Sequence, residues 1–443
     1  MTLDRNGQSA LARTCRSALG VFAALALAAT RVHAGYTLVD LGGPLGASAA
    51  LSIGADRTVA GYELLGPAMP HATVFANGLL VDLGTLGGDA SLAAGAASGG
   101  RVVGWARLPD ATRHAFLYDT GNMLDLGTLG GLNSQAFAVN NAGTVVGSSW
   151  LADNGDEVPM MWTAAGGMVP LPVPQVHGGQ AQCINDAGQI VGYVIDSIAA
   201  RPFLYDHGTV TILPILGGFA SKAFGISRSG LVVGYSLTND PDNPKFHAVY
   251  WRKGEIHDLG AMAGGHGSAL AINDARTAVG FSYDADLNQI AVSYSTERNI
   301  DLNSYLPPGS PWHLSVATGI TEDGVISGVG LLAGETRGYA LVPDGVNGTV
   351  WGLTSEFTLR TWPQPMRDAG TIELTLDREM AGPLRLYDVS GRRLGDLATG
   401  PFARGRHTLA MPAGLLSKLG SGVYYARIDG AQGVLTRRVV LIR

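Results

Sequence analysis

The seven-residue motif Asp-Leu-Gly-Thr-Leu-Gly-Gly occurs at residues 82–88 and again, without change, at residues 125–131. Looser copies recur at a similar spacing from residue 40 to residue 301. A fixed period of this size indicates one small structural unit that is copied along the chain. Because a residue that recurs in every unit serves the architecture, function must be sought where the units differ.

Each repeat unit divides into four short strands. The first is the Asp-Leu-Gly segment, and the second is rich in small residues, as at residues 136–140. A turn follows at residues 141–143, then a β-branched strand at residues 145–147, while the last strand begins with His-Ala-Phe, as at residues 114–116. The Asn or Ser that opens the turn can bond its own backbone, and the Gly that ends it tolerates positive φ, which is typical of a hairpin.

The number of units predicts the architecture. Seven small-residue strands begin near Ala50, Ala93, Ala136, Ala181, Ala223, Ala269 and Ala317. Seven units of four strands predict an all-β fold, a seven-bladed β-propeller, and an open β-solenoid is the alternative. The last unit stops after residues 339–342 without an Asp-Leu-Gly strand of its own, and residues 36–41 precede the first unit. That N-terminal segment could fill the gap and close a ring.

The repeat pattern, with His114-Ala115-Phe116 as its most regular strand, resembles the bacterial extracellular HAF repeat family over residues 35–345. It is less regular in the fourth unit, where residues 169–171 replace Asp-Leu-Gly, and in the seventh. The resemblance implies a secreted or surface location. It implies no established chemistry.

The N-terminus reads as a secretory signal peptide over residues 1–34. Three arginines precede an apolar run at residues 19–29, and small residues lead to a cleavage site between Ala34 and Gly35. The apolar run is too short to span a bilayer as a helix, and an uncleaved anchor is the alternative. After cleavage Cys183 would be the only cysteine, which excludes an intramolecular disulfide and predicts an inert core thiol.

Charge marks a domain boundary near residues 346–350. Residues 35–349 hold 13 basic and 27 acidic residues, a net charge of −14, whereas residues 350–443 hold 13 basic and 8 acidic residues, a net charge of +5. The acidic repeat region argues against nucleic acid as a partner. We therefore expect a propeller over residues 35–345, a linker over residues 346–361 and a separate domain over residues 362–443.

The C-terminal domain has the period-two alternation of an immunoglobulin-like β-sandwich. Its predicted strands cover residues 371–376, 384–389, 407–411, 423–428 and 435–442. The segments at residues 386–392, 405–407, 421–424 and 437–441 resemble the C-terminal sorting domains of type IX secretion and the immunoglobulin-like domain of flagellar hook-capping proteins. This implies export and surface attachment, with the secretion machinery as a partner. Arg437-Arg438 stands where an Arg-Lys or Lys pair is usual, and the alternative is a plain spacer domain.

The histidines and aspartates that recur are interpreted as architecture. His71, His114 and His247 share one repeat position, and Asp40, Asp82, Asp125, Asp258 and Asp301 share another. We expect the aspartates to accept backbone N–H groups at a turn. A catalytic group needs one location, and no nucleophile, zinc or nucleotide motif appears in the sequence. No catalytic residue and no organic cofactor are therefore predicted.

The units differ most in the connection between the β-branched strand and the His-Ala-Phe strand. This connection is often short, yet three units carry acidic insertions there, at residues 153–157, 239–243 and 284–288. Because strands alternate in direction, these connections and the Gly-Thr-Leu-Gly-Gly loops should emerge on one face. The Asp-x-Asp-x-Asn spacing of Asp284, Asp286 and Asn288 suits Ca²⁺, although it lacks the Gly and distal Glu of a full calcium loop. Further candidate ligands are Asp153, Asp156, Asp240 and Asp242.

The sequence predicts a non-enzymatic secreted or cell-surface protein with the propeller as a binding or display platform. The expected partners are an unknown extracellular ligand or envelope component and, through the C-terminal domain, the secretion machinery. No transmembrane segment is expected after signal removal. Two alternatives stay open: a propeller hydrolase or lyase acting on extracellular polysaccharide, and a passive component of a surface assembly.

Overall fold

The structure is a computed structural model. It describes residues 30–31, 35–42, 47–64, 69–76, 79–152, 155–174, 177–196, 199–344, 358–362, 370–376, 382–388, 392–403, 405–430 and 433–442. Ala34, Asp153 and most of the predicted signal peptide and linker lie outside these ranges. None of the helices in the described part has the length and apolar character needed to span a bilayer.

Residues 36–343 form seven four-stranded antiparallel units, which are the blades of a propeller, and one parallel bridge between Asn133 and Arg113 joins blades 2 and 3 into a single sheet. The first two strands of the chain are β1 (Thr30–Arg31) and β2 (Tyr36–Asp40). Blade 1 contains β3 (Ser48–Ile53), β4 (Val59–Leu64), β5 (Pro70–Ala76) and β6 (Leu79–Asp82). Blade 2 contains β7 (Ser91–Ala96), β8 (Val102–Arg107), β9 (Arg113–Asp119) and β10 (Asn122–Asp125). Blade 3 contains β11 (Gly130–Val139), β12 (Val145–Leu151), β13 (Glu157–Thr163) and β14 (Gly167–Pro170).

The remaining blades repeat this order. Blade 4 contains β15 (Gly178–Ile184), β16 (Ile190–Ile195), β17 (Ala200–Asp206) and β18 (Thr209–Ile212). Blade 5 contains β19 (Gly217–Ile226), β20 (Val232–Thr238), β21 (Phe246–Arg252) and β22 (Glu255–Gly260). Blade 6 contains β23 (Gly267–Ile272), β24 (Ala278–Tyr283), β25 (Gln289–Tyr294) and β26 (Ile300–Asp301), followed by a 3₁₀ helix at Leu302–Tyr305. Blade 7 contains β27 (Trp312–Ile320), β28 (Ile326–Leu332), β29 (Glu335–Pro343) and the N-terminal β2.

The ring closes through the N-terminal strand, as the sequence predicts. β2 pairs antiparallel with β29, with Leu38 opposite Leu341, and so supplies the missing outer strand of blade 7. The innermost strands contact one another around the ring, and β27 contacts β3. The open solenoid is therefore wrong and the seven-bladed propeller is confirmed. β1, which lies within the predicted signal peptide, adds two residues to the free side of β2.

Seven hydrophobic clusters hold the ring together, one at each boundary between neighbouring blades. The cluster that joins blade 7 to blade 1 contains Val39, Val342 and Phe75, which are all buried. Each blade thus buries its apolar faces against two neighbours, which no single blade could do alone. Cys183 packs against the cluster between blades 4 and 5, partly buried.

One recurring glycine has a steric reason. The β-branched strand of every blade contains a Gly, as at Gly104 and Gly192, which faces a β-bulge in the innermost strand. A Cβ at Gly104 would lie 1.8 Å from the carbonyl oxygen of Leu92, and one at Gly192 would lie 2.0 Å from that of Gln180. The glycine is therefore required by the close approach of two backbones, not by a ligand.

The C-terminal residues form two further sheets. One contains β30 (Thr358–Trp362), β31 (Thr371–Leu376) and β34 (Gly405–Ala410). The other contains β32 (Leu384–Asp388), β33 (Arg393–Ala398), β35 (Gly422–Gly430) and β36 (Gly433–Leu441), and a short helix α1 (Ala413–Leu416) follows β34.

The two C-terminal sheets form the predicted sandwich. Ile372 and Leu374 of one sheet share a buried core with Leu386, Ile428 and Val439 of the other. Two strands are additional to the five predicted from the sequence: β30, which begins inside the segment predicted as a linker, and β33. β33 contains Arg393 and Asp396, so it lacks the regular alternation of apolar and polar residues from which the other strands are predicted.

Candidate functional site

The two faces of the propeller carry different kinds of connection. We label the strands of each blade A to D from the axis outward, so that blade 2 runs β7, β8, β9, β10. The turn face carries the A–B turns and the C–D hairpins. The variable face carries the B–C connections and the loops from strand D to strand A of the next blade. This division follows from the antiparallel order of every blade.

On the turn face, side chains of the A–B turns bond neighbouring blades to each other. The buried Asn185 donates from Nδ2 to the carbonyl oxygen of Ser227 in the next blade at 3.1 Å. Asn140 and Asn273 do the same to Asn185 and Thr321, respectively, each at 3.2 Å. Backbone groups that would otherwise be buried without a partner are thereby satisfied. These residues recur because the ring needs them.

On the variable face, the recurring His and Asp residues pair with each other. His114 Nδ1 lies 2.8 Å from Asp125 Oδ1, and the same oxygen accepts the backbone N–H of Gly127 at 2.8 Å. The pairs His71–Asp82 and His247–Asp258 repeat this geometry. Each of these three aspartates therefore accepts a backbone N–H group at a turn, as predicted. Its bond to the histidine fixes the start of strand C.

The three acidic connections on this face are less unusual than the sequence suggested. Only the connection between β20 and β21, residues 239–245, is longer than its counterparts in blades 1 and 2 at residues 65–69 and 108–112. Those at residues 152–156 and 284–288 have the ordinary length. They differ from their counterparts in charge, and they are not insertions.

The candidate calcium ligands bond within their own loops. Asp284 Oδ1 accepts the N–H groups of Asp286 and Asn288, each at 2.9 Å, and Asp284 Oδ2 accepts Asn288 Nδ2 at 3.0 Å. These bonds, led by that from the Asn288 side chain, lower the pKa of the Asp284 carboxyl. Asp240 Oδ1 likewise accepts the N–H groups of Asp242 and Asn243, at 3.0 and 3.1 Å.

Asp156 is exposed, and its backbone carbonyl oxygen accepts the N–H of Leu151 at 3.3 Å. In the described part of the chain, no three His, Cys, Asp or Glu side chains are grouped in a way that could hold a metal ion. Calcium binding stays a prediction, and it would require the loops to exchange internal hydrogen bonds for metal ligation.

Large exposed hydrophobic side chains are concentrated on the variable face. Among the described residues of the propeller, those at this face are Met69, Leu132, Leu151, Ile195, Phe219, Phe246, Leu287 and Leu331. The others, Val81, Leu124, Val169 and Ile212, lie on the outermost strands. Phe219 is 65% exposed and Leu287 is 68% exposed. Apolar residues gathered on one face are typical of an interaction surface.

A cluster of polar side chains lies on the same face across blades 3 and 4, and we call it the glutamate cluster. Glu157 Oε1 accepts hydrogen bonds from Gln135 Nε2 at 3.0 Å, Ser148 Oγ at 2.6 Å and Gln180 Nε2 at 2.8 Å. Tyr193 Oη donates to Gln180 Oε1 at 2.9 Å. All three bonds to the carboxylate meet at one oxygen, so Oε2 has no donor among the described residues.

Two cations flank the glutamate cluster, each placed over an aromatic ring. The Arg113 guanidinium lies 5.2 Å from the ring centroid of Trp105 and 6.0 Å from that of Trp150. Lys222 Nζ lies 3.8 Å from the ring centroid of Tyr193. All three contacts are within the range of cation–π attraction.

Burial governs the protonation of the residues around Glu157. Burial raises the pKa of Tyr193 to about 12, and the negative charge of Glu157 adds to the shift. Burial also lowers the pKa of Lys222 and of Arg113, while Glu157 acts in the opposite direction on both. The phenol therefore stays protonated at neutral pH and is unsuited to act as a base.

Further aromatic side chains continue the surface into blades 5 and 6. The ring centroids of Tyr235 and Phe246 are 4.9 Å apart, and those of Phe246 and His266 are 5.8 Å apart. His266 in turn lies 6.5 Å from Tyr283. We call Trp105, Trp150, Tyr193 and this series the aromatic row. It follows the variable face over five successive blades.

The groups of this site suit recognition. Amides, one carboxylate oxygen and aromatic faces can bind a ligand through hydrogen bonds and apolar contact.

Sequence reasoning placed Glu157 at the end of an acidic connection and did not single out its partners. The signal was present at the position before the small alanine of strand A, which holds Ala49, Leu92, Gln135, Gln180, Lys222, Ser268 and Val316 in the seven blades. It is polar and long in three successive blades. These side chains meet across blades only because of the way in which neighbouring sheets are rotated against each other. The sequence alone does not show that rotation.

No protein-family model matches this sequence, and no curated protein matches it. Several solved structures are similar in part. PorZ, an essential surface component of the type-IX secretion system of Porphyromonas gingivalis, is 12% identical with a TM-score of 0.37, and the alignment covers 92% of this chain and 58% of PorZ. This chain therefore spans little more than half of PorZ.

Two enzymes show a comparable likeness. A gluconolactonase from Xanthomonas campestris is 12% identical with a TM-score of 0.36, over 71% of this chain and 92% of the enzyme. A prolyl endopeptidase is 9% identical with a TM-score of 0.42, over 76% of this chain and 56% of the enzyme. Likeness of this degree carries no conclusion about function, and the fold assignment rests on the closed ring itself.

Proposed function

We propose that this protein is a non-enzymatic, secreted or cell-surface binding protein of the HAF repeat type. Its propeller binds an extracellular ligand or envelope component at the variable face. Its C-terminal sandwich serves export or attachment. The observation that carries the proposal is the gathering of exposed hydrophobic and aromatic side chains on one face of a rigid ring.

The variable face has the composition of a recognition surface. Interfaces are enriched in Trp, Tyr, Phe and Arg, and their energetically important residues are drawn from the same types. Here Arg113 lies over the rings of both Trp105 and Trp150, and Phe219 and Phe246 of blade 5 are exposed on the same face. The turn face instead consists of polar turns bonded to one another.

Cosedimentation with the envelope fraction of the source cells tests the binding role. The variant Leu132→Asp with Phe219→Asp places two charges on the variable face, while Ala142→Asp with Ala187→Asp places two on exposed positions of the turn face. We expect the first pair to weaken retention by at least about tenfold and the second to leave it unchanged. Equal retention of both variants would contradict a role for the variable face.

Deletion of residues 350–443 tests the role of the C-terminal domain. We expect a folded propeller that is either released from cells or held in the periplasm. Unchanged surface display of the shortened chain, measured by protease accessibility on intact cells, would count against export or attachment by this domain.

The enzymatic alternative is tested by turnover. The mature protein is incubated with a panel of extracellular polysaccharides, and new reducing ends and unsaturated products are measured. We expect none above the level of a heat-denatured sample. Sustained product formation would replace the binding proposal with a polysaccharide hydrolase or lyase.

A further inference from the structure

The glutamate cluster interrupts a second row of aromatic residues, which is formed by one position of strand B. After the glycine of strand B, blades 1, 2, 4, 5 and 6 carry an aromatic residue: Tyr62, Trp105, Tyr193, Tyr235 and Phe281. Blade 3 carries Ser148 at this position. Instead of an aromatic ring, blade 3 has the carboxylate of Glu157, to which Ser148 and the amide of Gln135 donate hydrogen bonds. Glu157 and Gln135 are both partly exposed. The row is therefore polar at one point and aromatic on both sides of it.

The polar groups at this break suit hydroxyl groups. Glu157 Oε2 is an acceptor that no described donor uses, although Oε1 beside it accepts three bonds. Gln182 Nε2 donates to Gln180 Oε1 at 2.8 Å, so the amides are linked and held in one orientation. A ligand hydroxyl can donate to a carboxylate oxygen and accept from an amide at the same time. Fixed groups of this kind lower the entropy that binding would otherwise cost.

The aromatic side chains on both sides favour a ligand that is polar at its edges and apolar on its faces. The partly exposed Trp105 and Trp150 lie on one side, and the partly exposed Tyr235 and the buried Tyr193 lie on the other, in successive blades. A pyranose ring has this character, because its hydroxyls lie around the rim while its C–H groups point to the two faces. Since the aromatic residues extend over several blades, the surface suits a chain of sugars better than one.

Charge selects among sugars. The repeat region carries a net charge of −14, so an acidic polysaccharide approaching this surface would be repelled. Lys222 and Arg113 are held over aromatic rings, and Glu157 offsets one of their two positive charges, so the remaining local charge is small beside that of the repeat region. The site as a whole thus favours an uncharged ligand.

We propose that the glutamate cluster and the aromatic row bind a neutral oligosaccharide or polysaccharide, with Glu157 and the amides bonded to hydroxyls and Trp150 stacked on a sugar ring. This inference rests on the proposed function, because it names the ligand class of the variable face. A hydrophobic segment of a protein partner is the competing ligand for the same face.

Affinity electrophoresis of the mature protein tests the proposal. Native gels contain laminarin, xyloglucan, galactomannan or glucomannan as neutral probes and alginate or polygalacturonate as acidic ones. We expect retardation by at least one neutral probe and none by the acidic probes. Trp150→Ala and Glu157→Ala should each weaken binding at least about tenfold, which corresponds to roughly 1.4 kcal/mol. Retardation by the acidic probes alone, or by none, would overturn the proposal.

A matched control separates binding from folding. Trp162 lies in blade 3 at the turn-face end of β13 and is partly buried like Trp150, so Trp162→Ala removes the same side chain from the other face. Its affinity for the neutral probe should stay within about twofold of the wild type. If Trp150→Ala unfolds, Glu157→Gln serves instead, because it keeps the size of the side chain and removes the charged acceptor. Equal losses in Trp150→Ala and Trp162→Ala would contradict the proposed site.

Failure of the saccharide proposal can be distinguished from failure of the proposed function. Envelope retention that depends on Leu132 and Phe219 but is not competed by any neutral saccharide would leave the binding function intact and assign the face to a protein partner. Absence of both retention and retardation would end both proposals.

Discussion

The turn face and the variable face of the propeller are built on the same seven sheets, yet they use their side chains differently. At the turn face, Asn140, Asn185 and Asn273 bond to the neighbouring blade. At the variable face, side chains such as Phe219 and Trp150 differ from blade to blade and are wholly or partly exposed. The difference teaches that recurrence marks what the ring needs, and that departures from it mark the surface left free for a ligand.

The largest effect should follow from breaking the turn face. Asn185→Ala removes the bond to Ser227 and leaves its carbonyl oxygen and the N–H of Gln189, both bonded by the Asn185 side chain, without that partner. Because Asn185 is buried, we expect a loss of about 2–3 kcal/mol in the free energy of unfolding, measured by denaturant titration. Asn288→Ala on the variable face removes an exposed bond within one loop and should cost less than about 0.5 kcal/mol. Equal costs would remove the distinction between the faces.

Alkaline pH should reveal the buried phenol of the variable face. The pKa of Tyr193 is raised from 10.0 to about 12, so the folded state holds the proton more tightly than the unfolded state. This stabilisation is complete below pH 10 and is lost as pH rises from 10 to 12, by roughly 2 kcal/mol at most. Tyr193→Phe should flatten the dependence of the unfolding free energy on pH in this window. Parallel curves for the wild type and the variant would show that the pKa of Tyr193 is the same in the folded and unfolded states.

A smaller effect should follow from replacing a non-glycine residue that has positive φ on the turn face. Arg276 has φ of 65° at a position where Gly143, Gly188, Gly230 and Gly324 have φ of 80–84°. Arg276→Gly should raise the unfolding free energy by about 0.5–1 kcal/mol, because a side chain is disfavoured in this conformation. Arg57 has φ of 68° at the same position but pairs with Asp323, so Arg57→Gly should gain nothing. A gain for Arg57→Gly as large as that for Arg276→Gly would contradict the importance of the bonds between turns.

The smallest effect on stability should come from the exposed hydrophobic residues. Phe219→Ser should change the unfolding free energy by less than about 0.5 kcal/mol, because the side chain is 65% exposed. The same variant should reduce retention by the envelope fraction. A loss of stability without a loss of retention would mean that Phe219 serves the fold and not the surface.

The sequence predicted the ring well and the site poorly, for physical reasons. The ring is predicted from the recurrence of one four-strand unit along the chain, and this recurrence can still be recognised when any one position is substituted. The closing role of residues 36–40 followed from a count, because the seventh unit lacked one strand. The glutamate cluster and the two cations beside it bring together residues from four blades, from Arg113 to Lys222, and their contacts depend on how each sheet is rotated against the next. The period carries no information about that rotation.

The pairing of β2 with β29 also sets a condition on the order of events during synthesis. The two strands lie at opposite ends of the repeat region, so a chain that is made from its N-terminus cannot complete blade 7 until residues 335–343 have followed. Until then the edge of β2 that pairs with β29 has no partner. The ring is therefore open to proteases and aggregation until blade 7 is complete, and a chaperone that shields this edge would act where the need is greatest.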